Sequence, residues 1–590
     1  MSYRAPVSEI AFMAKAFGLT SLFEDGLAPE LADDLADAVL EEAGKFATDR
    51  IAPLNQIGDQ VGARFEDGVV TTPTGWKETY TDWAAGGWNG LTAPEKHGGQ
   101  GLPQLLQTAC SEMWTSASMA FMLGPMLTTG AVDALEAHGS DALKSIYLAK
   151  LVAGEWMGTM NLTEPQAGSD VGALKTRAER ASDGSYRITG QKIYITYGEH
   201  DLTPNIIHLV LARLPDAPAG TRGISLFLVP KFLINADGTL GDRNDVRCAG
   251  LEHKLGIHAS PTCTMIYGDQ GGAVGYLIGE ENRGLNCMFT MMNNARLGVG
   301  LQGVAIAERA YQLALAYASE RKQGRALSDA PGTMSPIIAH PDVKRMLMLM
   351  RSRTDAARAI CYMTASAMDR SHRENDPEKR KAAEERAALL TPIAKAWSTD
   401  IGIEVASLGI QVHGGMGFIE GSGAAQHLRD ARIAAIYEGT NGIQAIDLVT
   451  RKLPLSNGET VKALLVEMHE TLEALKASNH PGFGASPQRL SEALAALEHA
   501  TRWMADALRN RPEEALASAT PYQTLFGTTL GGLALVRLAL VDATMSEGER
   551  RVAKARFFAE QIAPEVPSLA RTVTEGALAL SGIDRVLQAS

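Results

Sequence analysis

Apolar residues Leu31, Leu35, Val39, Ala43 and Phe46 recur at three- and four-residue spacing with Asp and Glu between them. That period predicts an amphipathic helix, which Pro53 ends. A glycine-dense loop occupies residues 86–103, and helical pattern resumes from Leu105 to Leu151. Near Gly158 the period drops toward two. Tyr186/Ile188, Ile193/Ile195 and Thr262–Tyr267 alternate with polar residues, while Ile206–Ala212 and Ile224–Val229 are short apolar runs. Five strands without helical pattern between them predict a small antiparallel barrel or sandwich. Helix dominates again from Gly284. A loop around Arg325–Pro336 joins two long helices, and the charge-dense residues 370–387 read as a solvated helix connection. After Pro454 a last helical block carries one apolar stripe of Leu490, Leu494, Leu497, Thr501, Met504 and Leu508. The expected class is therefore α+β, mostly α. Its parts are a helical domain (1–157), a small antiparallel β domain (158–283), a domain like a four-helix bundle (284–453) and a helical extension (454–590).

Composition narrows the function. The 590 residues hold 55 Lys plus Arg against 68 Asp plus Glu, a net charge of −13. That balance argues against a nucleic-acid-binding protein, which would show a basic footprint. Five scattered cysteines with no C-x-x-C exclude a zinc ribbon and argue against a disulfide framework, so reduced thiols in the cytoplasm are expected. Residues 1–14 lack a secretory signal pattern, and no uninterrupted apolar run reaches the length of a membrane span.

Several apparent motifs have structural explanations. Gly298-Val-Gly-Leu-Gln-Gly303 matches G-x-G-x-x-G, but no strand pattern precedes it and Glu320 lies in helical sequence. Small residues for close helix packing explain it better. His253 and His258 share a loop without ligand spacing, so no metal site is expected. Gly421-Ser-Gly is not a nucleophile elbow.

Two stretches point to chemistry. Thr163-Glu-Pro-Gln-Ala-Gly-Ser-Asp170 offers hydroxyls and open backbone N–H groups, suited either to a flat heterocycle with phosphates or to an ordinary capped turn. Gln411-Val-His-Gly-Gly-Met-Gly-Phe418 precedes Arg429-Asp-Ala-Arg432 and Ile436-Tyr-Glu-Gly-Thr-Asn441. Glu438 stands in apolar company, which raises a carboxylate's pKa and suits it to act as a base; otherwise it is an exposed loop residue.

With Gly154-Glu155, Lys192-Ile-Tyr-Ile-Thr-Tyr-Gly198, Lys254-Leu-Gly-Ile-His-Ala-Ser260 and Glu320-Arg-Lys322, these stretches resemble the acyl-CoA dehydrogenase family from Gly86 to Leu453. The resemblance implies FAD as redox cofactor and an acyl-CoA substrate. Thr163 would meet the flavin edge, with Met160 and Leu162 as neighbouring contacts and Tyr194 and Thr196 beside the ring. Ser169 would lie where the loop meets cofactor or the CoA arm. Arg321, Gln411 and Gly415 match residues that reach the FAD of a neighbouring subunit, which implies a homodimer at least. Thr440 matches a further cofactor contact, and Gly442 stands where the family often has Gln.

By the same resemblance, Glu438 is the catalytic base that removes the α-proton of the thioester while the β-hydrogen leaves as hydride to the flavin. Its own N–H, next to Gly439, and a flavin ribityl hydroxyl would hold the thioester oxygen. Ala295 stands at the alternative base position of some members and cannot serve. Arg296 matches an arginine near bound CoA, whose phosphates it could pair, or it is a structural ion pair. His258 replaces a frequent Arg. The extension resembles long members such as very-long-chain acyl-CoA dehydrogenases and bacterial 3-methylmercaptopropionyl-CoA dehydrogenases. The segments 198–213 and 292–297 look most like the latter, whose product is the methylthioacryloyl thioester, and whose electrons would pass to electron-transfer flavoprotein. Plain medium- or long-chain fatty acyl-CoA stays open, because a thioether is nearly isosteric with a methylene. An oxygen-using acyl-CoA oxidase and a catalytically dead CoA-binding scaffold are the rival functions.

Overall fold

The computed structural model describes residues 3–31, 33–541, 546–580 and 583–587. The N-terminal helices include Asp33–Phe46, Leu54–Val61, Gln104–Ala117, Met119–His138 and Asp141–Val152, and Pro53 falls at the break between the first two. Trp83, Trp88 and Trp114 pack edge to face in their core, with the Trp114 indole donating to the Ala43 carbonyl at 3.1 Å. A two-stranded ribbon, β1 (Arg64–Glu66) and β2 (Val69–Thr71), lies in this part and has no counterpart in the predicted elements.

The β region is larger than the five predicted strands. Its main sheet comprises β3 (Met157–Asn161), β4 (Arg177–Arg180), β5 (Tyr186–Thr196), β6 (Ile206–Arg213), β7 (Ile224–Pro230), β10 (Val246–Leu251), β11 (Thr262–Tyr267) and β12 (Ala273–Ile278). Strands β8 (Phe232–Ile234) and β9 (Leu240–Arg243) form a separate ribbon. The pairings β5–β12–β7–β6–β4–β5 close a circuit, so the predicted barrel is present, with β3 joined in parallel to β6 and β10–β11 attached to β5. Two of the predicted strands are one. Tyr186–Thr196 runs unbroken through Gly190, where a Cβ would lie 2.5 Å from Thr176 Oγ1. Met157–Asn161 escaped the pattern because all five residues are buried, which erases alternation.

Three long helices follow: Gly284–Glu320, Pro341–Arg373 and Pro377–His413. The first and third run parallel in close contact. A Cβ at Gly300 would sit 2.5 Å from the Ala394 carbonyl oxygen, one at Gly303 2.1 Å from that of Ser398, and one at Gly402 2.7 Å from that of Gly303. At the far end Tyr317 stacks on His413 with ring centroids 4.4 Å apart. The G-x-G-x-x-G match is thus a helix seam, as its helical surroundings predict.

A buried ionic network ties the core together. Arg358, with no exposed surface, donates to Glu112, Glu308 and Asp355 at 2.6–2.7 Å, drawing in the helices at 104–117 and 284–320. Lys554 of the extension joins it through Asp355 at 2.6 Å and Glu9 at 2.9 Å. The extension helix Ala519–Val541 is long and apolar enough to cross a membrane, yet most of it is buried. Gln523 donates to the Pro392 carbonyl at 2.6 Å, and Gly527 lies where a Cβ would strike the Trp397 ring. It is a core helix of the same body as the third long helix.

His258 is held in place here by Asp59 and Lys254. Its ring lies 3.0 Å from Asp59 Oδ1 and bridges the carbonyls of Asp59 and Lys254, while Arg429 pairs the same carboxylate.

The seam sets a stability test. Gly303→Leu should lower the unfolding free energy by about 3 kcal/mol or more, because backbone cannot yield to the new side chain. Gly421→Ala, where nothing lies within 4 Å of the new methyl, should stay within about 0.5 kcal/mol. Chemical denaturation of the two variants checks this.

Candidate active site

The Thr163–Asp170 loop is held by one buried ion pair. Lys192 of β5, with no exposed surface, donates to Glu164 Oε1 at 2.8 Å and to the Leu162 carbonyl at 2.9 Å. Glu164 also accepts the N–H groups of Lys175 and Thr176 at 2.6 and 3.0 Å. Burial pushes this carboxyl up, but Lys192 and the hydrogen bonds more than reverse that and take it down to about 2. Burial lowers Lys192 to about 8 against the pull of Glu164. The pair stays ionised at neutral pH, and breaking it would cost roughly 3–5 kcal/mol.

The same strand bulges beside the loop. Thr196 pairs with Thr262, Ile195 with Cys263, and then Lys192 with Met265, so Ile193 and Tyr194 together oppose Thr264. Tyr194 adopts φ 60° and is 60% exposed, an unusual state for a large aromatic ring. The Ile193 N–H donates to the Thr163 carbonyl at 3.0 Å, locking bulge to loop. Thr163, Leu162 and Thr196 are half-buried, Ser169 is exposed, and Met160 packs inside the core. At Gly168 a Cβ would meet nothing within 4 Å. An exposed aromatic beside hydroxyls and open backbone is a surface that a flat polar heterocycle such as the flavin of FAD can cover.

Glu438 sits at a sharp turn. It has φ 55° and Gly439 has φ 83°, so two successive residues occupy the left-handed region. A Cβ at Gly439 would lie 2.7 Å from Gln444 Nε2, which itself donates to the Glu438 carbonyl at 3.0 Å. Lys395, from the third long helix, donates to the Gly439 carbonyl at 2.7 Å. Thr440 caps the following helix by accepting the Ile443 N–H at 3.3 Å, which leaves its hydroxyl proton free for a ligand. Burial raises the Glu438 carboxyl above the ordinary value, while Arg296 and Lys395 draw it part of the way back. Tyr437, the preceding residue, hydrogen-bonds Gln302 on the first long helix, and Gln302 contacts Met126 Sδ at 3.6 Å.

Arg296 is half-buried and faces both Glu438 and Asp447, the latter at a loose 3.8 Å. Its buried Nε has no partner among the described residues. Arg321, Gln411 and Gly415 are exposed at the opposite end of the long helices, brought together by the Tyr317–His413 stack. Arg321 lies roughly 37 Å from Arg296 along the helix axis, at 1.5 Å per residue. One chain therefore brings Thr163, Tyr194 and Thr196 together, gathers Glu438 with Arg296, and holds Arg321, Gln411 and Gly415 apart from both.

Sequence reasoning missed Lys395, Gln302, Gln444 and the Glu164–Lys192 pair. A usable signal existed: Lys395 and Gln302 interrupt the apolar runs 393–397 and 299–307 at buried helical positions. A polar residue there must have a buried partner.

Four family models cover most of the chain. The N-terminal domain of acyl-CoA dehydrogenases matches residues 33–155, the middle domain 159–269 and the C-terminal domain 282–453. A model described as acetyl-CoA dehydrogenase C-terminal like matches 464–584. A 3-methylmercaptopropionyl-CoA dehydrogenase of Ruegeria pomeroyi is 45% identical over 98% of both chains. A butyryl-CoA dehydrogenase of Syntrophomonas wolfei is 38% identical over 75% of this chain and 74% of its own. The fold matches an acyl-CoA dehydrogenase from Bacillus anthracis solved with FAD (TM-score 0.74, 21% identity, 92% of this chain and 89% of that one). The chain belongs to the acyl-CoA dehydrogenase family.

Proposed function

We propose that this protein is an FAD-dependent dehydrogenase that converts an acyl-CoA thioester to its trans-2-enoyl-CoA, with Glu438 as the base. The observation that carries the reading is the Glu438 turn itself. A carboxylate raised by burial, yet kept ionisable by two cations, has the affinity for a proton that abstraction next to a carbonyl needs. FAD, when bound, supplies the hydride acceptor. The Thr163 loop and the Tyr194 bulge would lie against the flavin, with Thr196, Ser169 and the Met160–Leu162 backbone around it and Thr440 beyond the base. The Glu438 N–H, backed by Gly439, would donate to the thioester oxygen as charge develops there. Arg296 stands between the base and Asp447, so it would stabilise the ionised carboxylate and the approaching CoA arm together.

The substrate we favour is 3-methylmercaptopropionyl-CoA, the compound named in the Ruegeria relative. The 45% identity to that relative over 98% of both chains is what supports a short thioether acyl group over a long alkyl chain. The division at residues 157, 283 and 453 belongs to this reading, as do a cytoplasmic setting, in keeping with five free buried cysteines, and electron-transfer flavoprotein as acceptor. A homodimer is its last element: Arg321, Gln411 and Gly415 are too far from Glu438 to serve the same flavin within one chain.

Glu438→Gln should keep its flavin colour and lose at least about 1000-fold in turnover. In the wild type, kcat/KM should fall as pH drops through a value above that of an ordinary glutamate, since the base must be ionised. A substrate panel with an artificial electron acceptor should rank 3-methylmercaptopropionyl-CoA above palmitoyl-CoA, and a palmitoyl preference would reject the thioether reading. Steady hydrogen peroxide production without acceptor would favour an oxidase. Sedimentation should give a dimer or a larger assembly, and Arg321→Glu should lose FAD while staying folded. A monomer that retains FAD would contradict the shared site.

A further inference from the structure

Lys395 is a polar group beside the turn whose presence the packing alone leaves unexplained. It lies in the run Ile393-Ala-Lys-Ala-Trp397 on the third long helix, and its side chain has no exposed surface. Burying an ammonium group costs several kcal/mol, which is normally offset by a carboxylate partner. Lys395 has no ion pair within 4 Å among the described residues. Its acceptors are neutral: the Gly439 carbonyl at 2.7 Å and Asn441 Oδ1 at 2.9 Å. Asn441 is itself fixed, since its amide donates to Ala396 O, Thr399 Oγ1 and Asp400 Oδ1 at 2.7–3.1 Å.

We propose that Lys395 is a positioning residue for the base: its ammonium group clamps the Gly439 carbonyl, holds the left-handed turn from which Glu438 projects, and sets an unpaired positive charge beside that carboxylate. The inference rests on the reading of Glu438 as base. Left-handed backbone at a residue with a side chain costs about 1–3 kcal/mol and persists only where neighbours over-determine it. Here both carbonyls of the turn are tied, that of Glu438 by Gln444 and that of Gly439 by Lys395.

The charges around the base come from three elements. Arg296 faces it from the first long helix, Lys395 from the third, and Tyr437 from the turn itself as a neutral phenol bonded to Gln302. Outside them, Asp447 engages Arg296, Arg451 and Lys452, and Asp400 lies near Lys395 and Arg432. Arg296 therefore shares its charge with Asp447, whereas Lys395 has no carboxylate within 4 Å among the described residues and its charge acts on Glu438 and Asp400 from further off. Burial lowers Lys395 to about 8, so it remains a cation at neutral pH. Without its charge, burial acts on Glu438 opposed by Arg296 alone. The proton is then held to higher pH, and the acid limb of kcat/KM moves upward.

The test compares Lys395→Met, Lys395→Gln and Lys395→Arg holoenzymes with the best substrate of the panel, reading flavin absorbance, melting temperature and kcat and KM against pH. Flavin-loaded Met and Gln variants should lose at least about tenfold in kcat with KM changed less than about threefold, and their acid limb should rise by about one pH unit. The Arg variant should restore the limb. Flavin-loaded Met and Gln variants with wild-type kcat and acid limb would overturn the proposal. So would failure of all three to fold with flavin, which would make Lys395 a structural group. Glu438→Gln, run in parallel, separates the two readings. If it is inactive while the Lys395 variants match wild type, only the role of Lys395 falls; if it turns over normally, the base assignment falls and this inference with it.

Discussion

Close approach of two parallel helices is the constraint on which the site depends. Gly300, Gly303 and Gly402 let backbone touch backbone between Gly284–Glu320 and Pro377–His413, at separations no side chain would allow. That contact fixes the register of the two helices, and register decides which residues share a level. It brings both Arg296 and Lys395 to the turn at Glu438, and Gln302 within reach of Tyr437. Ridge-and-groove packing of larger residues would hold the axes 8–10 Å apart and separate these groups.

Around that seam the protein spends ionic groups in two different ways. Arg358, Glu112, Glu308 and Asp355 form a fully paired cluster with Lys554 and Glu9, whose effect is to lock the core helices to the extension. Glu164 and Lys192 do the same for a loop. Near Glu438 the pairing is incomplete: Lys395 has neutral acceptors and Arg296 a distant carboxylate. Paired charges rigidify, whereas under-compensated ones leave a field, and a field beside a carboxylate adjusts its readiness to take a proton.

Much of the fold was legible because burial writes a period into the chain. The stripe Leu490, Leu494, Leu497 and Met504 lies buried in the helix Ser486–Asn510, and the loop at 325–336 does join two long helices. The period failed where burial was total or the element short. Met157–Asn161 has no exposed face, Arg64–Thr71 makes only a three-residue ribbon, and Gly190 split one strand into two apparent ones. At the site, Glu438 could be read from its apolar company and its motif, and the Thr163 loop from its hydroxyls and glycine. Lys395 could be marked only as a polar break in an apolar helical run, since such a lysine looks the same whether it snorkels to water or is sealed beside a base.

The sequence by itself determined the kinds of element, their order, the family and the residue types able to do the chemistry, because these follow from local periodicity and short motifs. Only the tertiary structure decided which of those residues meet. Glu438, Lys395 and Arg296 are 43 and 142 positions apart at the extremes, while Arg321 shares a helix with Arg296 yet stands at its far end. Separation along a chain says nothing about separation in space once helices pack side by side, and the glycine seam that sets their register is a contact between elements, not a property of either one.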